Sequence, residues 1–326
     1  MITIDRLRRR IEETEAWADL RDALALPISD EELRQTTNPW LIQTAFGSAS
    51  VTSEKLRLKL HRYPVPEWEK MGQYSDFSLL YHLESGLSNA CQIAESIATH
   101  AQTGSSKNPL AILDFGAGLC RILRYLVQFV PEHCYYASEV NPLAINWGKQ
   151  TFSPVNIPGA SSGALNPPGV NFLLTGTEPP LALPDSSLDV AYAWSIFSHY
   201  AEELHLKWLE ELARVLKPGG LLILTTQGRT LLDRIPREEQ IQEVMRLSDR
   251  KSWDIHDQRF DNYGYAFYES YTEKDASALG INPTSFGMAF ISPDYIRENW
   301  MTDYELLQHA PGNIANFQDY VVLRRR

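Results

Sequence analysis

The strongest constraint on the fold is an alternation of short apolar runs with helical patterns from Pro109 to Gly228. "LAILDFG" reads as a buried strand, and "LCRILRYLVQFV" after it as a helix. "CYYASEV" reads as a strand, "NPLAINWGKQTF" as a helix, and "VNFLLTG" and "LDVAYAWS" as two further strands. "AEELHLKWLEELARVL" is helical, "KPGG" stops it, and "LLILTT" is a strand. Alternation of this kind implies an α/β fold: a mainly parallel sheet with helices on both faces and right-handed crossovers.

The flanks differ. Before the alternation, residues 3 to 25 and 77 to 99 carry helical spacing, and Asp30 is placed to cap a further helix. The polar "AQTGSSKNP" closes this section, so residues 1–108 read as a helical N-terminal cap and 109–326 as the main domain. An insertion at about residues 229–286 breaks the rhythm with a charged helix, "PREEQIQEVMRLSDRKS", and the aromatic stretch "FDNYGYAFYESY". "SPDYIRENW" then reads as a helix capped by Ser292 with Pro293 in its first turn. "YELLQHA" and "DYVVLRR" are strand-like.

Composition narrows the class. With 326 residues, 44% hydrophobic and 22% charged, the chain can bury a real core. A net charge of -11 repels phosphate backbones, so nucleic acid is not an expected partner. The basic patches Arg6 to Arg10 and Arg324 to Arg326 read as solvated ends. Cys91, Cys120 and Cys134 form no CxxC pair, which suits a reducing compartment. The early charges from Asp5 onward do not read as a secretory signal, and no apolar run is long enough to span a membrane. The expectation is a cytoplasmic protein, in which the long N-terminal helix could serve a homodimer.

The chemistry gathers at "AILDFGAGLCRILRYL". In an open parallel sheet, ligands bind beyond the carboxyl ends of the strands, where this stretch turns. Gly116 and Gly118 allow a tight turn and close approach of a ligand. Gly-x-Gly alone leaves three readings open: a dinucleotide site, a site for another adenosine cofactor, or a plain turn. Asp114 lies two residues before Gly116, where an approaching pyrophosphate would favour an apolar residue. Glu139 ends the second strand, 25 residues after Asp114, where an acid can bond ribose hydroxyls. Two carboxylates suit an adenosine that also carries positive charge.

"ILDFGAG" followed by Arg121, "ASEVNP", "LPDSSLDVAYAWSIFSHY" and "LEELARVLKPGGLLILTT" together resemble the motifs of class I S-adenosylmethionine-dependent methyltransferases. The resemblance implies a Rossmann-like seven-stranded sheet whose last strand is antiparallel. It also implies S-adenosyl-L-methionine as cofactor. On matching positions, Gly116 and Gly118 would pass under it and Asp114 would orient the loop and the methionine amine. Arg121 belongs to the same turn. Glu139 would hold the ribose, Gly176 and Thr177 would approach the adenine, and Trp194 and Ser195 would wall the methionine side. Cys120 is a departure, since many relatives carry glycine there. "GMAFISPDYIRENW" and "FQDYVVLRRR" further resemble methyltransferases of bacterial surface-polysaccharide pathways, which implies a sugar or glycan hydroxyl as acceptor.

A sugar hydroxyl is a weak nucleophile, so O-methylation calls for a base within hydrogen-bond reach. His199, in "SIFSHY", is the first candidate, followed by His256 in the insertion and His82 in the N-terminal section. Each also has a plain structural reading as a capping, packing or solvated histidine. Asp254, His256, Asp257 and Asp261 could hold a cation, but their spacing matches no metal site, and no metal is expected. Tyr263, Tyr265, Phe267, Tyr268 and Tyr271 could form an acceptor wall, with Phe267 and Phe290 instead packing across strands. N- or C-methylation, a non-catalytic binding protein and a nicotinamide oxidoreductase are the alternatives.

Overall fold

The computed structural model describes residues 79–101, 109–130, 132–152, 169–244, 250–271 and 281–326. The helices expected over residues 3 to 25 and after Asp30 lie outside them. Seven strands are hydrogen-bonded in the order β3-β2-β1-β4-β5-β9-β8, and β6 and β7 form a separate two-stranded sheet. The chain divides into two compact units. One holds α1 as far as Thr99 and the segment Ala117–Leu173; the other holds Ala111–Gly116 and Leu174–Arg326.

The first unit contains α1 (Leu79–His100), α2 (Leu123–Phe129), β2 (Cys134–Glu139), α3 (Pro142–Thr151) and most of β3 (Val170–Leu174). Helix α1 buries Leu87, Ala90, Ile93, Ala94 and Ile97 at helical spacing. Its Gly86 sits so close to the turn before α2 that an added Cβ would lie 2.2 Å from the Arg121 carbonyl oxygen. In an isolated helix Gly→Ala stabilises by about 1 kcal/mol. Here overpacking should reverse the sign, leaving Gly86→Ala destabilised by about 1–3 kcal/mol in urea unfolding. A variant as stable as the parent would contradict this packing of α1. Helix α3 is capped locally: the Asn141 side chain accepts from the Leu143 N–H at 2.8 Å, and Pro142 opens the first turn.

The second unit is built on β1 (Ala111–Phe115), β4 (Leu188–Ala193), β5 (Leu216–Thr226), β8 (Tyr304–Ile314) and β9 (Gln318–Arg325). Strands β1, β4 and β5 run parallel, with Asp114 opposite Tyr192 and Ala193 opposite Leu224. Strand β9 is antiparallel to β5 and to β8, the closing hairpin expected from the sequence. Ile112, Leu113, Val190, Ala191, Leu222, Ile223, Val321 and Val322 are buried, which explains why these strands read as continuous apolar runs. Asp189 ties the strand starts together, accepting from the Ala111 N–H and from Lys217, each at 2.8 Å.

Three sequence expectations change here. "KPGG" does not separate α4 (Glu202–Val215) from a later strand; it belongs to β5. The pairing shifts between Leu188↔Leu216 and Val190↔Leu221, so the extra residues bulge out of the ladder. The aromatic stretch of the insertion starts as helix. After α5 (Arg229–Leu232) and α6 (Glu239–Val244), α7 (Arg250–Tyr263) carries Phe260 and Tyr263, and only then does β6 (Tyr265–Tyr268) begin. The terminal arginines are not a solvated end. Arg324 bonds Glu305 at 3.1 Å and the His100 carbonyl at 3.0 Å, Arg325 the Leu216 carbonyl, and Arg326 the Tyr304 carbonyl at 2.9 Å. A guanidinium carries several donors in a planar fork and satisfies strand-end carbonyls well.

The insertion is fastened to the strand ends. Strand β7 (Met288–Ile291) pairs antiparallel with β6, placing Ala266 opposite Phe290 and Phe267 opposite Ala289. Its Ile291 N–H donates to the Gln227 carbonyl at 2.7 Å, and Ala289 N–H to Ser198 at 2.8 Å. Arg229 bonds Asp257 at 2.8 Å, bonds Asp261, and lies over the Phe260 ring. Two of the four residues read as a potential cation site are therefore engaged by a guanidinium. Helix α8 (Pro293–Asn299) is capped by Ser292, which accepts from Tyr295 N–H at 3.1 Å.

His205, on α4, is fully buried among Tyr265, Tyr295 and Trp300, and its Nε2 accepts from Trp300 Nε1 at 3.3 Å. Burial holds its pKa down at about 3. The folded state thus binds fewer protons than the unfolded chain below pH 6.5, so this contribution is complete above pH 6.5 and is lost as pH falls towards 3. By linkage the loss reaches about 2 kcal/mol at pH 5. Unfolding measured between pH 7.5 and 5 should show that acid limb, and His205→Gln should flatten it.

Candidate active site

In the first unit, the turn after β1 is bound to the end of β2. Gly118 and Cys120 both adopt left-handed backbone, with φ of 51° and 56°. Left-handed conformation costs a non-glycine residue about 1–2 kcal/mol, which explains why glycine is favoured at position 120. The buried Cys120 side chain takes the place instead, and none of the three cysteines is in a disulfide. Glu139 closes the turn. One carboxylate oxygen accepts from Gly118 N–H at 2.9 Å, the other from Val140 at 2.9 Å and Asn141 at 3.0 Å. Burial nevertheless raises its pKa above the ordinary carboxylate value, because desolvation outweighs the three amides. A carboxylate has about four lone-pair sites, so three amides leave capacity for a ribose hydroxyl. Arg121 donates to Ser85 of α1 at 2.5 Å, and His82 is buried one turn before Ser85.

In the second unit, Asp114 is buried at the end of β1, with 4% of its surface exposed. A buried acid at a strand end fits a ligand carrying positive charge and disfavours a pyrophosphate. Gly116 has φ of 76°, and a Cβ there would lie 2.2 Å from Ile196 Cδ1, so the turn requires glycine twice over. The loop after β4 carries Trp194, Ser195 and His199. Trp194 is buried with its ring 5.9 Å from that of Tyr320. Ser195 is left-handed, with φ of 58°. Its N–H donates to Thr225 Oγ1 at 2.8 Å and its hydroxyl to Gln318 Oε1 at 3.0 Å, while Gln318 Nε2 donates to Ser198 at 3.3 Å. These bonds hold a strained backbone in place.

Two bonds to Gly287, the residue before β7, continue that restraint to His199. Its carbonyl accepts from Gly287 N–H, and its Nδ1 lies 2.8 Å from the Gly287 carbonyl oxygen. A carbonyl only accepts, so Nδ1 carries the proton and Nε2 presents a lone pair. Burial lowers the His199 pKa below its ordinary value, against the pull of that hydrogen bond, so the ring is neutral at neutral pH. The Tyr271 ring lies 6.4 Å away.

The other expected residues are placed as follows. Gly176 is exposed just after β3, and the Thr177 carbonyl accepts from Trp208 Nε1 at 3.2 Å. His256 is on α7, and its side chain is outside the described residues. Among the proposed aromatic wall, Tyr265 is core, with its hydroxyl on the Tyr200 carbonyl at 2.7 Å, and Tyr263 is exposed. Phe267, Tyr268 and Tyr271 are half-buried. Thr225 and Gln318 were not legible as site residues, because only the pairing of β5 with β4 and of β9 with β5 brings them to Ser195. Among the described residues no cluster of His, Cys, Asp and Glu could hold a metal ion, and no helix is long and apolar enough to cross a membrane.

Residues 113–224, from β1 to near the end of β5, match the family model described as "Methyltransferase domain". Among solved structures, the chain is similar to a protein from Pyrococcus horikoshii, at 13% identity over 72% of this chain and 92% of the other, with a TM-score of 0.45. It is similar to a SAM-dependent methyltransferase from Methanosarcina mazei, at 15% identity over 70% and 96%, with a TM-score of 0.45. A third is magnesium protoporphyrin IX methyltransferase from Synechocystis, at 12% identity over 79% and 94%, with a TM-score of 0.46. The family match sets aside a nicotinamide oxidoreductase. Residues 113–224 therefore form a methyltransferase domain.

Proposed function

We propose that the protein is an O-methyltransferase acting on a small-molecule hydroxyl, of a sugar or glycan in particular. The observation that carries this reading is His199. Its Nδ1–H is committed to the Gly287 carbonyl, its ring is kept neutral by burial, and its Nε2 is left as a proton acceptor. An amine that reacts as its free base needs no such acceptor, whereas a hydroxyl does.

S-adenosyl-L-methionine supplies an electrophilic methyl group. The protein's part is to hold the donor, align the acceptor oxygen and take its proton. We assign Glu139 and Gly118 to the ribose side, Gly116 and Asp114 to the methionine side, and Trp194 and Ser195 to the wall beside it. Nε2 of His199 accepts the hydroxyl proton as the oxygen takes the methyl group. Alignment of this kind can supply about 7–11 kcal/mol of barrier reduction. His82 and His256 are not needed as bases in this scheme.

The test combines calorimetry with S-adenosylhomocysteine and transfer of a tritiated methyl group to pooled methyl glycosides and amino sugars. The expected product is a methyl ether. Exclusive methylation of nitrogen or carbon would overturn the hydroxyl assignment, and no binding at submillimolar S-adenosylhomocysteine would overturn the donor assignment.

A further inference from the structure

Beside the His199 loop lies a cavity of about 440 Å³, lined by Ala201, Glu202, Arg259, Phe267, Tyr268 and Glu269. That volume is in the range of small-molecule sites. Ala201 is two residues beyond His199, so their Cα atoms are within about 7 Å. The cavity is bounded by the first turn of α4, the last turns of α7 and strand β6.

Its polar groups are incompletely used. Glu202 accepts from the Tyr295 hydroxyl at 2.8 Å through one oxygen. The other oxygen lies 3.9 Å from an Arg259 guanidinium nitrogen, beyond hydrogen-bond length, and both side chains remain about half exposed. A hydroxyl placed against that gap can donate to the carboxylate and accept from the guanidinium at once. Charge selects further. A phosphate or carboxylate ligand would meet Glu202 and Glu269, and a cation would meet Arg259. A neutral polyol can use both kinds of group. Phe267 and Tyr268 add half-buried aromatic surface, on which the apolar face of a ring can pack.

We propose that this cavity is a subsite for a neutral sugar ring of the acceptor, read by Glu202 and Arg259 and stacked on the β6 aromatics. The proposal deepens, and rests on, the assignment of a hydroxyl acceptor at His199.

Saturation-transfer NMR on the full chain tests it, with methyl glucoside, methyl mannoside and methyl rhamnoside as probes. Glucose 6-phosphate and choline serve as charged competitors. The neutral glycosides should receive saturation, and Glu202→Gln, which keeps an acceptor for Tyr295, should weaken binding at least fivefold. Tyr268→Leu should do the same without touching a charge, and it carries the test if Glu202→Gln fails to fold. No saturation of any glycoside, indifference to both substitutions, or displacement by choline or the sugar phosphate would overturn the proposal. S-adenosylhomocysteine is titrated into the same samples. Its binding should be unchanged in both variants. Its failure to bind the parent protein would strike the donor assignment, while the glycoside result would still judge the cavity.

Discussion

His199→Gln is expected to slow methyl transfer to a hydroxyl by about 10²–10⁴-fold, the usual worth of a positioned base. S-adenosylhomocysteine affinity should stay within about twofold. Three observations make the effect specific to proton transfer. The Nδ1–H is fixed on the Gly287 carbonyl, burial lowers the ring's pKa, and the backbone around it is held by main-chain bonds to Ser285, Gly287 and Ala289. A base must be neutral, so the parent's rate should rise with pH through a value below the ordinary 6.5 of histidine and be flat at neutrality. The variant should lose that limb. A purely structural histidine would leave the pH profile in place and alter unfolding instead. The shift also has a stability sign: the folded state binds fewer protons than the unfolded one, so stability contributed by His199 is lost as pH falls through about 6.5. A further check is chemical. His199→Ala should recover rate with added imidazole, and its deficit should shrink on a more acidic hydroxyl.

The second large effect is expected at Glu139. Glu139→Ala removes the acceptor for three amides, of Gly118, Val140 and Asn141. Each buried donor left unmade costs about 1–3 kcal/mol. Against that, the substitution relieves the desolvation that raises the carboxyl pKa. We expect a net loss of about 2–4 kcal/mol in urea unfolding, together with loss of measurable S-adenosylhomocysteine binding. Glu139→Gln separates the two roles. It keeps an acceptor for Val140 and Asn141 but sets an amide against Gly118 N–H, and it loses the charge that would accept ribose hydroxyls. Its affinity should fall about 10- to 100-fold, as for a charged hydrogen bond of about 1.5–3 kcal/mol, with a smaller change in stability. Equal damage from both substitutions would mean that Glu139 serves the turn alone. The raised pKa adds a pH signature. The folded state holds its proton more tightly, so the parent loses stability as pH rises from about 4.5 through the folded value, and Glu139→Gln lacks that slope.

Much of this architecture was legible because parallel strands buried on both faces write themselves as short apolar runs, and the helices between them have their own period. The runs around Ile112, Ala137, Val190 and Leu222 located β1, β2, β4 and β5 in that way. The cap at Ser292 was equally local, since a capping side chain reaches only two or three residues ahead. The bulge that absorbs "KPGG" into β5 was not local: it depends on the register against β4. Nor was the fate of the C-terminal arginines, whose partners lie as far away in sequence as His100.

The candidate site divides along the same line. Asp114, Gly116, Gly118 and Glu139 sit at strand ends and turns that the local pattern alone marks out. The sequence by itself therefore determined the class of domain and marked the residues of its candidate donor site. The state of each group was decided by tertiary structure. Ser195 is left-handed because Thr225 and Gln318, from two other strands, hold it there. His199 has a defined tautomer because Gly287, some ninety residues later, supplies a carbonyl at 2.8 Å. His205, on the neighbouring helix, is structural because three aromatic rings from two later segments enclose it. Hydrogen-bond partners and desolvation come from residues distant in sequence. A motif can nominate a histidine, and only the folded surroundings decide its proton.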